Sequence, residues 1–140
     1  MTDQTIPFRP VVRSQSDLHS VWNQLMEPQT SEGGFGGHSL WLLVIEGDRP
    51  FPQLTEITEA LEPPDDDMVT SLGHFLENLS AEGRRFAFLR SRPGHGGLTS
   101  DDRAWARSLY EAGRRAGVPL EVVHRACDHD LVAVPMDEVA

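Results

Sequence analysis

The sequence predicts an α/β fold: one domain with a mixed sheet flanked by helices. Three observations carry this expectation. Apolar residues recur at helical spacing in three separate segments, short apolar runs of strand length lie between those segments, and neither an internal repeat nor a second core divides the 140 residues. Strands separated by helices imply crossover connections, and a turn-bearing segment after the first strand implies an antiparallel opening pair.

The elements follow in order. Residues 1–15 carry Pro7 and Pro10 with little periodicity and read as an N-terminal arm, so the domain is expected at 16–140. Leu18, Val21, Trp22, Leu25 and Met26 form one helical face, with Ser16 as the expected N-cap and Pro28 just past the expected end. Four glycines in residues 29–37 (QTSEGGFGG) make that stretch a connector. Residues 40–45 (LWLLVI) are apolar on both faces, as in a strand covered on both sides, and Gly47-Asp48-Arg49-Pro50 supplies turn chemistry before a returning strand at 53–58. After an acidic, proline-bearing lead-in, Val69, Leu72, Phe75, Leu76 and Leu79 mark a second helix, with Gly83 as its expected C′ residue. Residues 85–89 (RFAFL) are a strand. Thr99 and Asp102 form a capping box for a third helix over 100–116, buried through Trp105, Leu109, Ala112 and Ala116 and closed by Gly117. Short strands are expected at 120–124 and 131–134. Trp22, Trp41 and Trp105 are assigned to the core, and His19 and His74 to packing or surface roles.

Composition narrows function. With 39% hydrophobic and 24% charged residues the chain is an ordinary globular domain, and Cys127, alone, forms no internal disulfide. The longest apolar run falls far short of the roughly 20 residues of a membrane span, which predicts a soluble, cytoplasmic protein with no membrane partner. The formal charge of −10 repels phosphate over most of the surface and argues against nucleic acid as the main ligand. That charge is unevenly spread. Residues 46–82 hold ten acids against Arg49, whereas residues 84–125 hold nine arginines against Asp101, Asp102, Glu111 and Glu121. The acidic stretch reads as a solvated face or as a complement to a basic partner, and the two stretches together would suit homo-oligomeric or heterologous association.

The segment FAFLRSRPGHGGLTSDDRAW, residues 86–105, resembles the signature of the JAB/MPN (JAMM) metalloprotease-like family, and the surrounding order of elements resembles its RadC branch. In that family a strand ends in H-x-H-P, a glycine-bearing loop follows, and S-x-x-D opens the next helix; the histidines and the aspartate bind zinc. Here those positions are Arg90-Ser91-Arg92-Pro93-Gly94 and Thr99-Ser100-Asp101-Asp102. The resemblance extends over about residues 40–134 and implies a JAB/MPN-like (cytidine-deaminase-like) architecture. Arginine has no electron pair to give a metal, so Arg90, Arg92 and Asp102 are the positions of a degenerate metal site, with no metal and no cofactor expected. The family's glutamate base has no counterpart in Gly36-Gly37-His38-Ser39. With two parts of the machinery missing, the resemblance implies a catalytically inactive protein-binding or scaffolding module with no catalytic residues.

At strand positions i and i+2, Arg90 and Arg92 share a face, and one guanidinium is expected to pair in bidentate fashion with Asp102; the alternative is that both arginines are solvated and Asp102 only caps its helix. Two other functions stand beside the scaffold. Arg90, Arg92, Gly94, Gly96 and Gly97, in the loop before a helix N-terminus, form a candidate phosphate- or nucleotide-binding site. His95, Asp102, His124 and Cys127 are candidate relocated ligands of a metal-dependent hydrolase, with His129 in the same 124–129 stretch, although that spacing matches no established zinc pattern.

Overall fold

The computed structural model describes residues 11–31, 38–58, 62–94, 97–128 and 130–138. His95, Gly96 and His129, the expected arm up to residue 10 and the glycine-rich part of the connector lie outside them. Three helices and five strands follow in the order α1 (Gln15–Ser31), β1 (Ser39–Glu46), β2 (Arg49–Thr58), α2 (Asp66–Leu79), β3 (Arg84–Ser91), α3 (Ser100–Ala116), β4 (Val123–Ala126) and β5 (Leu131–Val134), with a 3-10 turn at Met136–Glu138. The sheet order is β2-β1-β3-β4-β5. It is mixed: β1 is antiparallel to both β2 and β3, β3 and β4 are parallel across the α3 crossover, and β5 returns antiparallel to β4.

Strand alternation divides the core in two. Leu40, Leu42, Phe86, Phe88, Val123 and Val134 face α2 and α3, where they meet Leu72, Leu76, Trp105 and Leu109. Leu43, Ile45, Ala87, Leu89 and Ala126 face the other way, toward Leu18, Val21 and Trp22 of α1. This explains why residues 40–45 show no polar alternation, since both faces of β1 are covered. Tyr110 ties α3 to the sheet, its hydroxyl donating to the Val134 carbonyl at 2.7 Å and accepting from the Val123 N–H at 2.9 Å.

Several boundaries differ from the sequence-based ones, each for a local reason. The α1 cap is Ser14 rather than Ser16: its Oγ accepts from the Asp17 N–H, and Asp17 in turn accepts from the Arg13 N–H. The helix also runs through Pro28 to Ser31, so residues 29–31 are helical rather than connector. Proline there loses one hydrogen bond to residue 24, and Gln24 is exposed, where water can replace the missing donor. β2 starts at Arg49, not Gln53, because Gly47, at φ 64°, makes a two-residue turn with Asp48 and lets Glu46 pair directly with Arg49. α2 is capped by Asp65 and ends at Ser80, and Gly83, at φ 79°, makes the turn into β3 instead of closing the helix. β3 continues through Arg90 to Ser91, and β4 is shifted to Val123–Ala126 to pair with that extension; Leu120 keeps only an isolated bridge to Phe86.

Val12, from the end of the expected arm, is fully buried in the α1 layer. Its N–H donates to the Asp48 carbonyl at 2.6 Å, and its carbonyl accepts from Arg85 at 2.7 Å. Among the described residues, no helix is long and apolar enough to cross a membrane.

Two helical glycines at packed positions should respond oppositely to alanine. A Cβ at Gly73 would meet the Ala112 carbonyl at 3.5 Å, an ordinary contact, whereas one at Gly113 would stand 3.0 Å from Leu120 Cδ2 and 3.3 Å from its Cβ. Gly73→Ala is therefore expected to stabilise by about 0.5–1 kcal/mol through reduced chain entropy. Gly113→Ala is expected to destabilise by about 1 kcal/mol, because overpacking against Leu120 outweighs the same gain. Paired thermal melts test this, and equal shifts would refute the packing argument.

Candidate functional site

Phe86, Phe88 and Arg90 alternate toward the α2/α3 face of β3, and Arg92 follows just past the strand end, so the apolar core of this face passes into charge as the strand leaves the sheet. The start of α3 lies opposite. Its capping box is complete: the Thr99 hydroxyl accepts from the Asp102 N–H at 3.1 Å, and Asp102 Oδ2 accepts from the Thr99 N–H at 2.9 Å. The carboxylate that caps the helix is thereby held in front of the two arginines.

Both arginines reach it. Arg92 binds Asp102 through two parallel bonds of 2.8 Å, Nε to Oδ1 and Nη2 to Oδ2, the bidentate fork expected from the sequence. Arg90 adds Nη1 to Oδ1 at 2.7 Å. The alternative of solvated arginines is set aside, since Arg90, Arg92 and Asp102 are only 2%, 8% and 2% exposed. Arg90 also lies over the Trp105 ring, 5.5 Å from its centroid. A third guanidinium comes from β4, where Arg125 pairs in register with Arg90 and approaches Asp102 Oδ2 to 3.6 Å.

The electrostatics follow from this crowding. Burial alone would raise the Asp102 pKa, but the Arg92 hydrogen bond, the Thr99 N–H and the charges of Arg92 and Arg90 outweigh it and hold the carboxyl below its ordinary range. Burial lowers the Arg90 pKa against the attraction of Asp102, while the hydrogen bond to Asp102 raises that of Arg92. Arg90 Nη2 donates to His38 Nδ1 at 3.1 Å, which places the ring proton on Nε2. Burial, then the charges of Arg90 and Arg92, lower the His38 pKa and keep it neutral.

Around this centre the loops tie themselves together. The Gly94 N–H donates to Asp128 Oδ2 at 2.8 Å, and the Asp128 N–H donates back to the Gly94 carbonyl at 2.9 Å. Arg92 also donates to the Pro93 and Gly97 carbonyls. Of the donors that were candidates for an incoming anion, Gly94 N–H is directed to Asp128, Arg92 to Asp102 and two carbonyls, and the two Nη groups of Arg90 to Asp102 and His38, while the buried Arg90 Nε has no partner among the described residues and Gly96 lies outside them.

The candidate hydrolase ligands are divided by the sheet. His124 is buried on the α1 side, 5.5 Å from the His19 ring, while Asp102 lies on the α3 side. Cys127, fully buried, donates to Asp130 Oδ1 at 2.9 Å and accepts from Arg125 Nη1 at 2.8 Å. Among the described residues, no group of three or more histidine, cysteine, aspartate or glutamate side chains is placed to hold a metal ion.

Sequence reasoning missed Arg125, Asp128 and Asp130 as members of this cluster. Arg125 stands among polar residues that read as a loop, and a strand beginning at Val123 would have given its direction, because His124 and Arg125 then point to opposite faces. Seven of the nine arginines of residues 84–125 are buried or paired with acidic residues of the chain. Arg90, Arg92 and Arg125 are buried, Arg84 and Arg85 are paired with Glu46 and Glu121, and Arg114 and Arg115 with Glu111.

The fold and the site define a single mixed α/β domain, with helices on both faces of the sheet and a buried arginine–aspartate cluster where β3, β4 and α3 converge. No protein-family model, curated protein or solved structure matches this chain.

Proposed function

We propose that this chain is a JAB/RadC-like domain whose metal site has been replaced by an ion-pair cluster, and that it works as a protein-binding or scaffolding module rather than as a hydrolase. One observation carries the reading: Asp102, the position at which the resemblance would place a metal ligand, has both oxygens taken up by hydrogen bonds from Arg90, Arg92 and Thr99. A carboxylate with four donors has no lone pair left for a cation, and the adjacent guanidinia repel one. The same arrangement keeps the strand end, the following loop and the helix start in the relative positions that the resemblance implies, with a guanidinium doing structurally what a metal would do.

Elemental mass spectrometry of the purified, untagged protein, paired with thermal melts with and without chelator, tests the reading. The expected result is zinc, manganese and iron far below one per chain and a melting temperature unchanged by chelator. About one metal per chain, with a melt lowered by chelator, would overturn it.

A further inference from the structure

His124 is completely buried, yet its hydrogen bonding is left incomplete. Nδ1 lies 3.3 Å from the Val122 carbonyl, which only accepts, so the ring proton is on Nδ1 and Nε2 carries a lone pair. Among the described residues Nε2 has no hydrogen-bond partner. A buried acceptor left unmet costs free energy that an apolar side chain in its place would not. A backbone carbonyl on one ring nitrogen, with the lone pair of the other available, is also how proteins orient a histidine that binds a metal.

A second imidazole stands beside it. His19 follows the buried Leu18 on α1 and is itself exposed, so the pair has one member inside the protein and one at the water boundary. The two ring centres are 5.5 Å apart, with the planes tilted by 53°. An imidazole nitrogen sits about 2.0–2.1 Å from a zinc ion, so two rings that share one tetrahedral ion have their centres about 5 Å apart. The observed spacing is close to that value. Two nitrogen donors suit nickel, copper and zinc, whereas magnesium and calcium require oxygen. The chain's net charge of −10 adds a general attraction for cations.

We propose that His19 and His124 form a site for a divalent late transition-metal ion, nickel, copper or zinc, held by one nitrogen of each ring and completed by water on the exposed side. The ion would join α1 to β4. The site is apart from the arginine–aspartate cluster, because β4 sends His124 to the α1 layer and Arg125 toward Asp102. With two protein ligands the ion exchanges with solvent and is lost on purification with chelator, so the metal-free purified chain expected above is unchanged.

Isothermal titration of the intact, chelator-treated chain with nickel chloride, paired with thermal melts with and without nickel, tests the inference. One nickel ion per chain and a melting temperature raised by nickel are expected. His19→Ala, at an exposed position, should fold like the natural chain, which its own melt checks. It should bind nickel at least about tenfold more weakly, since loss even of a group that merely orients a ligand costs roughly 10–100-fold. His124→Leu should show the same loss, His74→Ala none, and magnesium should produce neither binding heat nor a shift in the melt. No nickel binding, or equal binding to His19→Ala, would overturn the proposal. So would an equal response to magnesium, because the acidic surface would then be the binder. Metal that the purified chain retains and His19→Ala releases supports this site, whereas retained metal that survives His19→Ala overturns the reading of Asp102 and leaves this pair to be decided by the nickel titration.

Discussion

Asp102→Ala is expected to cost about 3–5 kcal/mol of folding stability, the range seen when one partner of a buried ion pair is removed and its charge is left uncompensated. The cost arises from three guanidinia. Arg90 and Arg92 lose the carboxylate that binds them, and Arg125 loses an approach of 3.6 Å to that carboxylate while keeping Asp130 at 2.6 Å. The same substitution removes the acceptor for the Thr99 N–H, adding about 1 kcal/mol for the lost half of the capping box. Asp102→Asn keeps the shape but removes the charge, and should fall between alanine and the natural residue. Replacing the charges together, Arg90→Met with Arg92→Met and Asp102→Leu, is expected to recover most of the loss and leave about 1 kcal/mol for the missing capping-box acceptor, because desolvation of the ions is removed along with their attraction. Urea unfolding measures all three. If Asp102→Ala cost less than about 1 kcal/mol, Asp102 would be merely a helix cap and the cluster would not hold the site together.

The second large effect is acid sensitivity centred on His124. This side chain is fully buried between β4 and α1, its Nδ1 lies 3.3 Å from the Val122 carbonyl, and its Nε2 has no hydrogen-bond partner among the described residues. Burial first, then repulsion from His19, push its pKa down from 6.5 to about 4. The unfolded chain therefore takes up this proton near pH 6.5, while the folded chain resists it until about pH 4. His124 contributes its full stability above pH 6.5 and loses it progressively as the pH falls toward 4, a change on the order of 3 kcal/mol. Because His124 faces α1, the first consequence should be loosening of that helix from the sheet. Unfolding free energies at intervals between pH 7 and 4 should show a slope that His124→Leu flattens; an unchanged slope in the variant would assign the effect to other groups. Asp102, whose pKa is lowered, acts with the same sign in a more acidic window, losing its contribution as the pH falls below the ordinary carboxylate value through its folded one.

These two residues also show how much of the site was legible in the sequence. Asp102 could be placed from local rules: Thr99 and Asp102 have capping-box spacing, and Arg90 and Arg92 stand two apart at a strand end, so a pairing of the three could be anticipated. Arg125 could not, because its approach to Asp102 depends on the parallel pairing of β3 with β4 and on a register that opposes it to Arg90, contacts between residues 35 apart in the chain. His38 is similar: the segment before β1 could be matched with the site, but its hydrogen bond to Arg90 spans 52 residues. His124 and Cys127 were drawn together as candidate ligands by proximity in sequence, and Asp102 was joined to them from the position it holds in the resemblance. The alternation of β4 sends His124 to the α1 layer and Arg125 to the α3 layer, so the candidate set is split by the sheet itself.

What the sequence determined by itself was local. The hydrophobic period gave the three helices and the central strands, the composition gave one domain, and the capping box gave the start of α3, because each depends on interactions within a few residues. Strand ends were less legible where buried polar residues continue a strand, as Arg90 and Ser91 do in β3 and His124 and Arg125 in β4. There burial is made tolerable by partners from elsewhere in the chain. Only the tertiary structure decided that most of the arginines of residues 84–125 are spent on carboxylates within the chain, and that His124 and Arg125 part to opposite faces of the sheet. The physical reason is the same in both cases: desolvation and Coulomb energies depend on distance through space, and the distances are set by which strands pair and which way their side chains point.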